Sequence, residues 1–297
     1  MGIRKPETQV ETAATLGISQ PYLSLLLGGH KPMSEEMKRR LCVLLSDKPS
    51  YTTAPAIQGS VVILMDVQIP FQDGEFILNV LDLADSWGVK QGISGGDFFN
   101  ESAFSIFAHK PEDMIWAEEA EKAREVAEVM LKFIPQWTFL LGNHDAFLLK
   151  KLGHQFNHEA LLRLAEMPRG CIATDYYWCL VKDAQGSEWR VSHPRSVSVL
   201  PTRVPARLAD RYHQNIVSGH GHLAGVSCDF SGKHLCIDAG VACDISKLDY
   251  VMERDSVRPQ PNQGAVILKE VEGRFIPYHL MPQWIDWDAL RRAYPSE

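Results

Sequence analysis

Apolar and polar positions along this chain follow two different rhythms, and the change falls near residue 60. Between Thr8 and Leu45 the apolar residues recur at helical spacing. Val10, Ala13, Ala14 and Leu16 are available to one face, and Gly17 ends that segment as a left-handed cap. Ser19 suits a helix N-cap, and Pro21 sits early in a second helix, where its missing N–H costs little. That helix, Gln20 to Leu27, closes at Gly28-Gly29. Glu35 to Leu45, with Met37, Leu41 and Leu44 spaced for burial, predicts a third. Asp47 to Ser60 is rich in Ser, Thr, Pro and Gly and reads as a linker.

From Val61 onward strands alternate with helices. Val61 to Met65 is fully apolar, as a strand buried on both faces requires. A helix is predicted over about Glu75 to Trp87, a short strand over Val89 to Ser94, and a long helix over Pro111 to Phe133. The apolar run Trp137 to Leu141 predicts a strand that turns sharply at Gly142 into a helix, Ala146 to Leu152. After His158 the chain becomes richer in strands: Tyr176 to Val181, Trp189 to Ser192, Asn215 to Ser218, Leu235 to Ala239, Ala265 to Leu268 and Arg274 to His279. On one of two readings of the arginines there, an exposed helix over about Pro201 to Tyr212 interrupts them. The expected organisation is a small all-α domain (1–48), a linker (49–60), an α/β domain (61–280) and a C-terminal tail (281–297) that packs back on the body.

Polar clusters fall where apolar runs end. They are Asp66/Gln68, Asp97/Asn100, Asn143/His144/Asp145, His193 and His220/His222. α/β enzymes place their chemistry at strand ends. The donors are carboxylate, amide oxygen and imidazole, without cysteine. That mixture suits Mn²⁺, Fe, Zn²⁺ or Ni²⁺, with Mn²⁺ preferred, and the count exceeds the needs of one ion. Two divalent ions sharing a carboxylate would use it: such pairs clamp both oxygens of a phosphoryl displacement and supply hydroxide near neutral pH.

Composition narrows the class. Of the 297 residues 45% are hydrophobic and 23% charged, as in ordinary globular proteins. No apolar stretch reaches membrane-span length, and the N-terminus lacks a signal-peptide core. The six cysteines form no CxxC pair, so free thiols in a reducing cytoplasm are expected. Residues 1–50 hold seven basic and five acidic side chains, so the net charge of -7 arises in the remainder. Such asymmetry fits two modules with different partners.

Two resemblances follow. Ala13 to Leu44 resembles the helix–turn–helix of phage-repressor and Cro-type regulators, with Ser19 to Leu27 as recognition helix. It implies DNA contacts by Gln20, Tyr22, Ser24, His30 and Lys31, with Lys38-Arg39-Arg40 adding phosphate contacts. The ordered set DxQ, GDxxN, GNHD, SH and GHGH, over Val61 to His279, resembles the calcineurin-like metallophosphoesterases, and its start resembles bacteriophage and bacterial members. That implies two packed mixed β-sheets flanked by helices, with a dinuclear centre at the strand ends. Asp97 would bridge two ions. Asp66 and His222 would complete the first, with Gln68 where the family usually has His. Asn143, His193 and His220 would complete the second. His144 would serve the leaving oxygen, oriented by Asp145. Asn143 and His144 would contact substrate, and Arg195, two residues from His193, is a further candidate for that role.

The expected function is hydrolysis of phosphodiester bonds, of DNA or nucleotides, by metal-bound hydroxide. The alternatives are a phosphomonoesterase or cyclic-nucleotide phosphodiesterase with a dimerising head, and a DNA-binding regulator with a degenerate phosphoesterase domain. Arg195, Arg203, Arg207 and Arg211 form a basic run, with Arg190 nearby, placed either to line the mouth of the site or to coat an exposed helix.

Overall fold

A computed structural model of the chain describes residues 9–27, 30–34, 36–37, 54–104, 114–151, 156–248 and 260–294. The chain divides into two compact units between Thr53 and Ala54. In the first, α1 (Gln9–Leu16) and α2 (Gln20–Leu27) pack through Ala13, Leu16 and Leu23, with Ile18 and Met37 beside them. Most of the expected third helix, including Lys38-Arg39-Arg40, lies outside the described residues.

The second unit is a mixed α/β sandwich of two six-stranded sheets. Its strands in chain order are β1 (Ala56–Gln58), β2 (Val61–Leu64), β3 (Gln91–Ser94), β4 (Gln136–Phe139), β5 (Cys171–Ala173), β6 (Trp178–Lys182), β7 (Glu188–Ser192), β8 (Asn215–Ser218), β9 (Ala224–Cys228), β10 (Leu235–Ala239), β11 (Ala265–Val271) and β12 (Arg274–Leu280). One sheet runs β12-β11-β2-β3-β4-β5, with β2 to β5 parallel. The other runs β1-β6-β7-β8-β10-β9, with β7, β8 and β10 parallel.

The apolar run at Val61 shows why the layers stack. Val61, Ile63 and Met65 face the other sheet, meeting Val181, Val191, Val217 and Ile237. Val62 and Leu64 face the opposite way, toward the helices α3 (Gly74–Ser86) and α4 (Trp116–Phe133). Period-two alternation sends each set to its own core, so a strand between two cores has no polar face. The remaining helices are α5 (Ala146–Lys151), α6 (His158–Leu164), α7 (Arg203–Tyr212) and α8 (Trp287–Ala293). In α8, Trp287 packs edge-on against Phe76, and Arg291 reaches Asp82 at 2.6 Å, so the tail returns to α3.

Two expectations are corrected. The linker is not irregular to residue 60: Ala56–Gln58 is a strand, parallel to β6, because Ile57 is buried between the sheets. The long helix begins at Trp116, with Ile115 as its extended N-cap, rather than near Pro111. Among the described residues no helix is long and apolar enough to cross a membrane.

Candidate metal centre

Five strands deliver the polar clusters. β2 leads to Asp66 and Gln68, β3 to Asp97, β4 to Asn143 and His144, β7 to His193, and β8 to His220 and His222. The first three strands belong to one sheet and the last two to the other. The structure brings Asp97, His193 and His220 together, one donor atom from each lying within 4.8 Å of the others. Asn143 Oδ1 lies 3.2 Å from His193 Nε2, and Asp97 Oδ2 lies 3.3 Å from the same nitrogen. Asp66 Oδ1 is 3.1 Å from His222 Nε2, and Gln68 Nε2 is 3.3 Å from it.

The backbone is bent for this arrangement. Among the described residues ten non-glycine positions have positive φ, and five of them are Asp66, Gln68, Asp97, His220 and His222. Left-handed backbone is costly for such residues and persists where the surroundings over-determine it, commonly at functional sites. Gly142 permits a close approach to the ligand turn. A Cβ there would meet Asp97 N and Oδ1 at 2.1 Å, so no other residue fits unshifted.

The donors fit a cation. His193 Nδ1 faces the Gly95 carbonyl at 3.1 Å, and a carbonyl only accepts, so that nitrogen carries the hydrogen. The other nitrogen then points at two acceptor oxygens, from Asp97 and Asn143. Three acceptors facing one another repel unless a proton or a metal ion sits among them. Metal-binding imidazoles are held in the same way, through the remote ring nitrogen. Asp97 Oδ2 and Gln68 Oε1 are buried and make no well-formed hydrogen bond. The oxygen and nitrogen of the Gln68 amide are interchangeable by rotation, which turns Oε1 toward His222 Nε2.

The electrostatics agree. Burial pushes the Asp97 carboxyl up, but His193 and His144 outweigh it and hold it below the ordinary range. Asp66 is likewise held low, burial being overcome by His222. Burial opposes a charged His193, yet Asp97, with Asp66 and Asp145 behind it, lifts the group to about 9. His220 is lowered by burial and by His193.

Asp145 does not orient His144 as expected. Its carboxylate accepts from the N–H groups of Asp97 (2.8 Å), Phe99 (3.0 Å) and Gly142 (2.9 Å), tying the turn after β3 to the turn after β4. His144 Nδ1 instead bonds the Asn100 carbonyl at 2.8 Å, and its backbone N–H reaches Asp97 Oδ1 at 2.8 Å. A buried aspartate three residues from Gly142 closes its own turn sooner than it reaches a neighbouring ring.

Of the basic run, Arg195 is exposed, its guanidinium 5.6 Å from the Tyr177 ring. Arg203, Arg207 and Arg211 are exposed on α7. Arg190 is buried between Trp178 (3.6 Å) and Tyr212 (4.0 Å), where it packs the outer face of its sheet. In the first unit Gln20, Tyr22 and Ser24 lie on α2, with Tyr22 and Ser24 exposed and Lys31 Nζ 5.2 Å from the Tyr22 ring. Two buried acids beside the site went unread in the sequence: Glu101, which ends the turn after β3, and Glu119 on α4. Glu119 stands among Glu118 and Glu121, so spacing alone does not separate the inward acid from the solvated ones.

No protein-family model matches the sequence, and no curated protein does. Solved structures similar to the chain include Vps29 from Cryptosporidium parvum, with 15% identity, TM-score 0.38, and coverage of 75% of this chain and 96% of that one. A single mutant of Vps29 from Entamoeba histolytica overlaps with 11% identity and TM-score 0.38, over 75% and 98%. YfcE, a phosphoesterase from E. coli, overlaps with 15% identity and TM-score 0.36, over 75% and 98%. Overlaps this loose carry no functional weight; the geometry above does.

Proposed function

We propose that the chain is a metal-dependent phosphoesterase that cleaves phosphodiester bonds, with DNA or nucleotides as substrate. The observation that carries this is the meeting of Asp97, His193 and His220, with Asn143 against His193, as donors from both sheets. Asp97, Asn143, His193 and His220 would hold one divalent ion. Asp66, Gln68 and His222, with Asp97 shared, would hold a second. Bound there, Mn²⁺ or a similar ion supplies Lewis acidity: it neutralises phosphate charge and makes hydroxide available near neutral pH.

The chain's own residues do the rest. His144, half-buried and held at Nδ1–H, presents Nε2 to a leaving oxygen; as the imidazolium, protonated at both nitrogens, it gives the Nε2 proton to that oxygen and returns to the Nδ1–H tautomer. Arg195 and Asn143 hold non-reacting phosphate oxygens, the arginine as an exposed cation at the rim. The helix pair α1–α2, read as a helix–turn–helix, brings DNA to the enzyme through Gln20, Tyr22, Ser24 and Lys31.

Hydrolysis of bis-p-nitrophenyl phosphate against p-nitrophenyl phosphate, with Mn²⁺, Fe²⁺, Zn²⁺ or Ni²⁺ added, tests the reading. Preference for the diester is expected. Preference for the monoester makes the chain a phosphomonoesterase, and turnover of neither with any ion removes the enzyme.

A further inference from the structure

We propose that Glu119 is a positioning residue for His144, acting through the single peptide group that joins Asn100 to Glu101, and that Glu101 completes the clasp. The inference rests on the phosphoesterase reading, in which His144 serves the leaving group.

His144 Nδ1 lies 2.8 Å from the Asn100 carbonyl oxygen. That oxygen only accepts, so Nδ1 donates. The N–H of the same peptide group belongs to Glu101 and points the opposite way, as a trans peptide requires. It meets Glu119 Oε1 at 2.8 Å, and the Asn100 N–H meets the same oxygen at 2.9 Å. The order is therefore imidazole N–H to carbonyl, then amide N–H to buried carboxylate. Hydrogen bonds in series polarise one another, and negative charge at the far end enriches the carbonyl oxygen that His144 uses. The consequence is that Nδ1 keeps its proton in both charge states: the neutral ring is the Nδ1–H tautomer, and Nε2, at the opposite edge, is the nitrogen that takes up a proton and delivers it to the leaving oxygen.

Glu101 works from the other side. Its Oε2 accepts from the Leu148 N–H at 2.7 Å, on the helix that begins just after His144. Asp145 reaches from the β4 turn back to the β3 turn, and Glu101 reaches from the β3 turn forward to α5. Both glutamates are 0% exposed, and Glu101 sits at φ 48. Burying an acid is costly, and simple packing does not ask for one. Burial lifts Glu101 to about 9 and Glu119 to about 7, so at neutral pH Glu101 is neutral and Glu119 keeps part of its charge.

The first test needs neither metal nor substrate: ¹⁵N NMR of the His144 imidazole, assigned by loss of its signals in His144→Ala. The wild type should show one Nδ1-protonated form. Glu119→Gln, which retains an acceptor, should keep it. Glu119→Ala and the volume-matched Glu119→Met should give a mixture of tautomers. A wild type without the Nδ1-protonated form, or an unchanged tautomer in both acceptor-free variants, overturns the proposal whatever the enzyme does.

The second test uses the full chain with Mn²⁺ and two phosphodiesters, one leaving as p-nitrophenolate and one as an alkoxide. Loss of Glu119 should lower kcat for the alkoxide ester by about 10–100-fold and change the aryl ester little, as loss of an orienting partner does. In a His144→Ala background it should cost nothing further. Equal losses on both esters, or losses that add to those of His144→Ala, make Glu119 a packing residue and overturn the proposal. If the wild type cleaves neither ester, the phosphoesterase reading falls, and the tautomer alone decides the relay.

Discussion

His193 has a proton to lose before it can serve as a ligand. In the protein without metal, burial disfavours its charge but Asp97 outweighs that and lifts it to about 9. Ion binding must displace this proton, so affinity should rise about tenfold for each pH unit below that value, as one released proton requires. Calorimetry with Mn²⁺ at several pH values, in buffers of different ionisation enthalpy, measures both the slope and the proton. Glu101 gives a second pH dependence, of opposite sense. Its folded value, raised by burial to about 9, exceeds its ordinary 4.5. The stability it contributes is therefore full below about 4.5 and is lost as pH rises toward about 9. Glu101→Gln keeps the acceptor for Leu148 and removes that loss. It should melt at least about 2–4 °C above the wild type at pH 8, and level with it near pH 4. Gln68→His replaces an amide with a better ligand for Zn²⁺ or Fe, and should raise metal stoichiometry at low free metal, read by elemental analysis after gel filtration.

At the scale of the element, the turns decide whether ligands meet. Gly142→Ala would press a methyl carbon to within 2.1 Å of Asp97 N and Oδ1. Relief moves Asp97, so the variant should lose bound metal and about 1–3 kcal/mol of stability, as overpacked positions do; a chelation titration and a melt measure the two. The central strands were legible because a strand buried on both faces must be apolar throughout, as Val61 to Leu64 is. The strand ends were legible because ligand-type residues followed each run directly. The short pieces were not. β1, β5 and β9 have three to five residues at sheet edges, with exposed and half-buried positions and only Ile57 of β1 buried, so no apolar run marks them. Helices α6 and α8 have seven residues each, about two turns, too few for a period to repeat convincingly. The partner of His144 escaped for another reason. It is a backbone carbonyl, which no side chain in the sequence announces.

At the scale of the whole molecule the two units invite separation. If the first unit is a targeting module, removing residues 1–48 should weaken DNA binding and leave turnover of a small diester within about twofold, since such a substrate is too small to need the module. Mobility shift and p-nitrophenolate release report the two independently. Loss of turnover in the truncated chain would count against separable roles. The acidic excess of the remainder makes the same division electrostatic, with DNA better tolerated by the first fifty residues than by the body.

The ligands of the proposed centre come from opposite slabs of the sandwich: Asp66, Asp97 and Asn143 follow strands of one, His193, His220 and His222 strands of the other. An ion gripped by both would rivet the slabs at their rim. Chelation would then do more than stop turnover. It would unpin the layers, and at metal a hundredfold above Kd the rivet is worth about 2.7 kcal/mol. Hydrogen exchange should therefore quicken, on EDTA treatment, along the facing surfaces of β2 and β8 while leaving α3 and α8 unaltered.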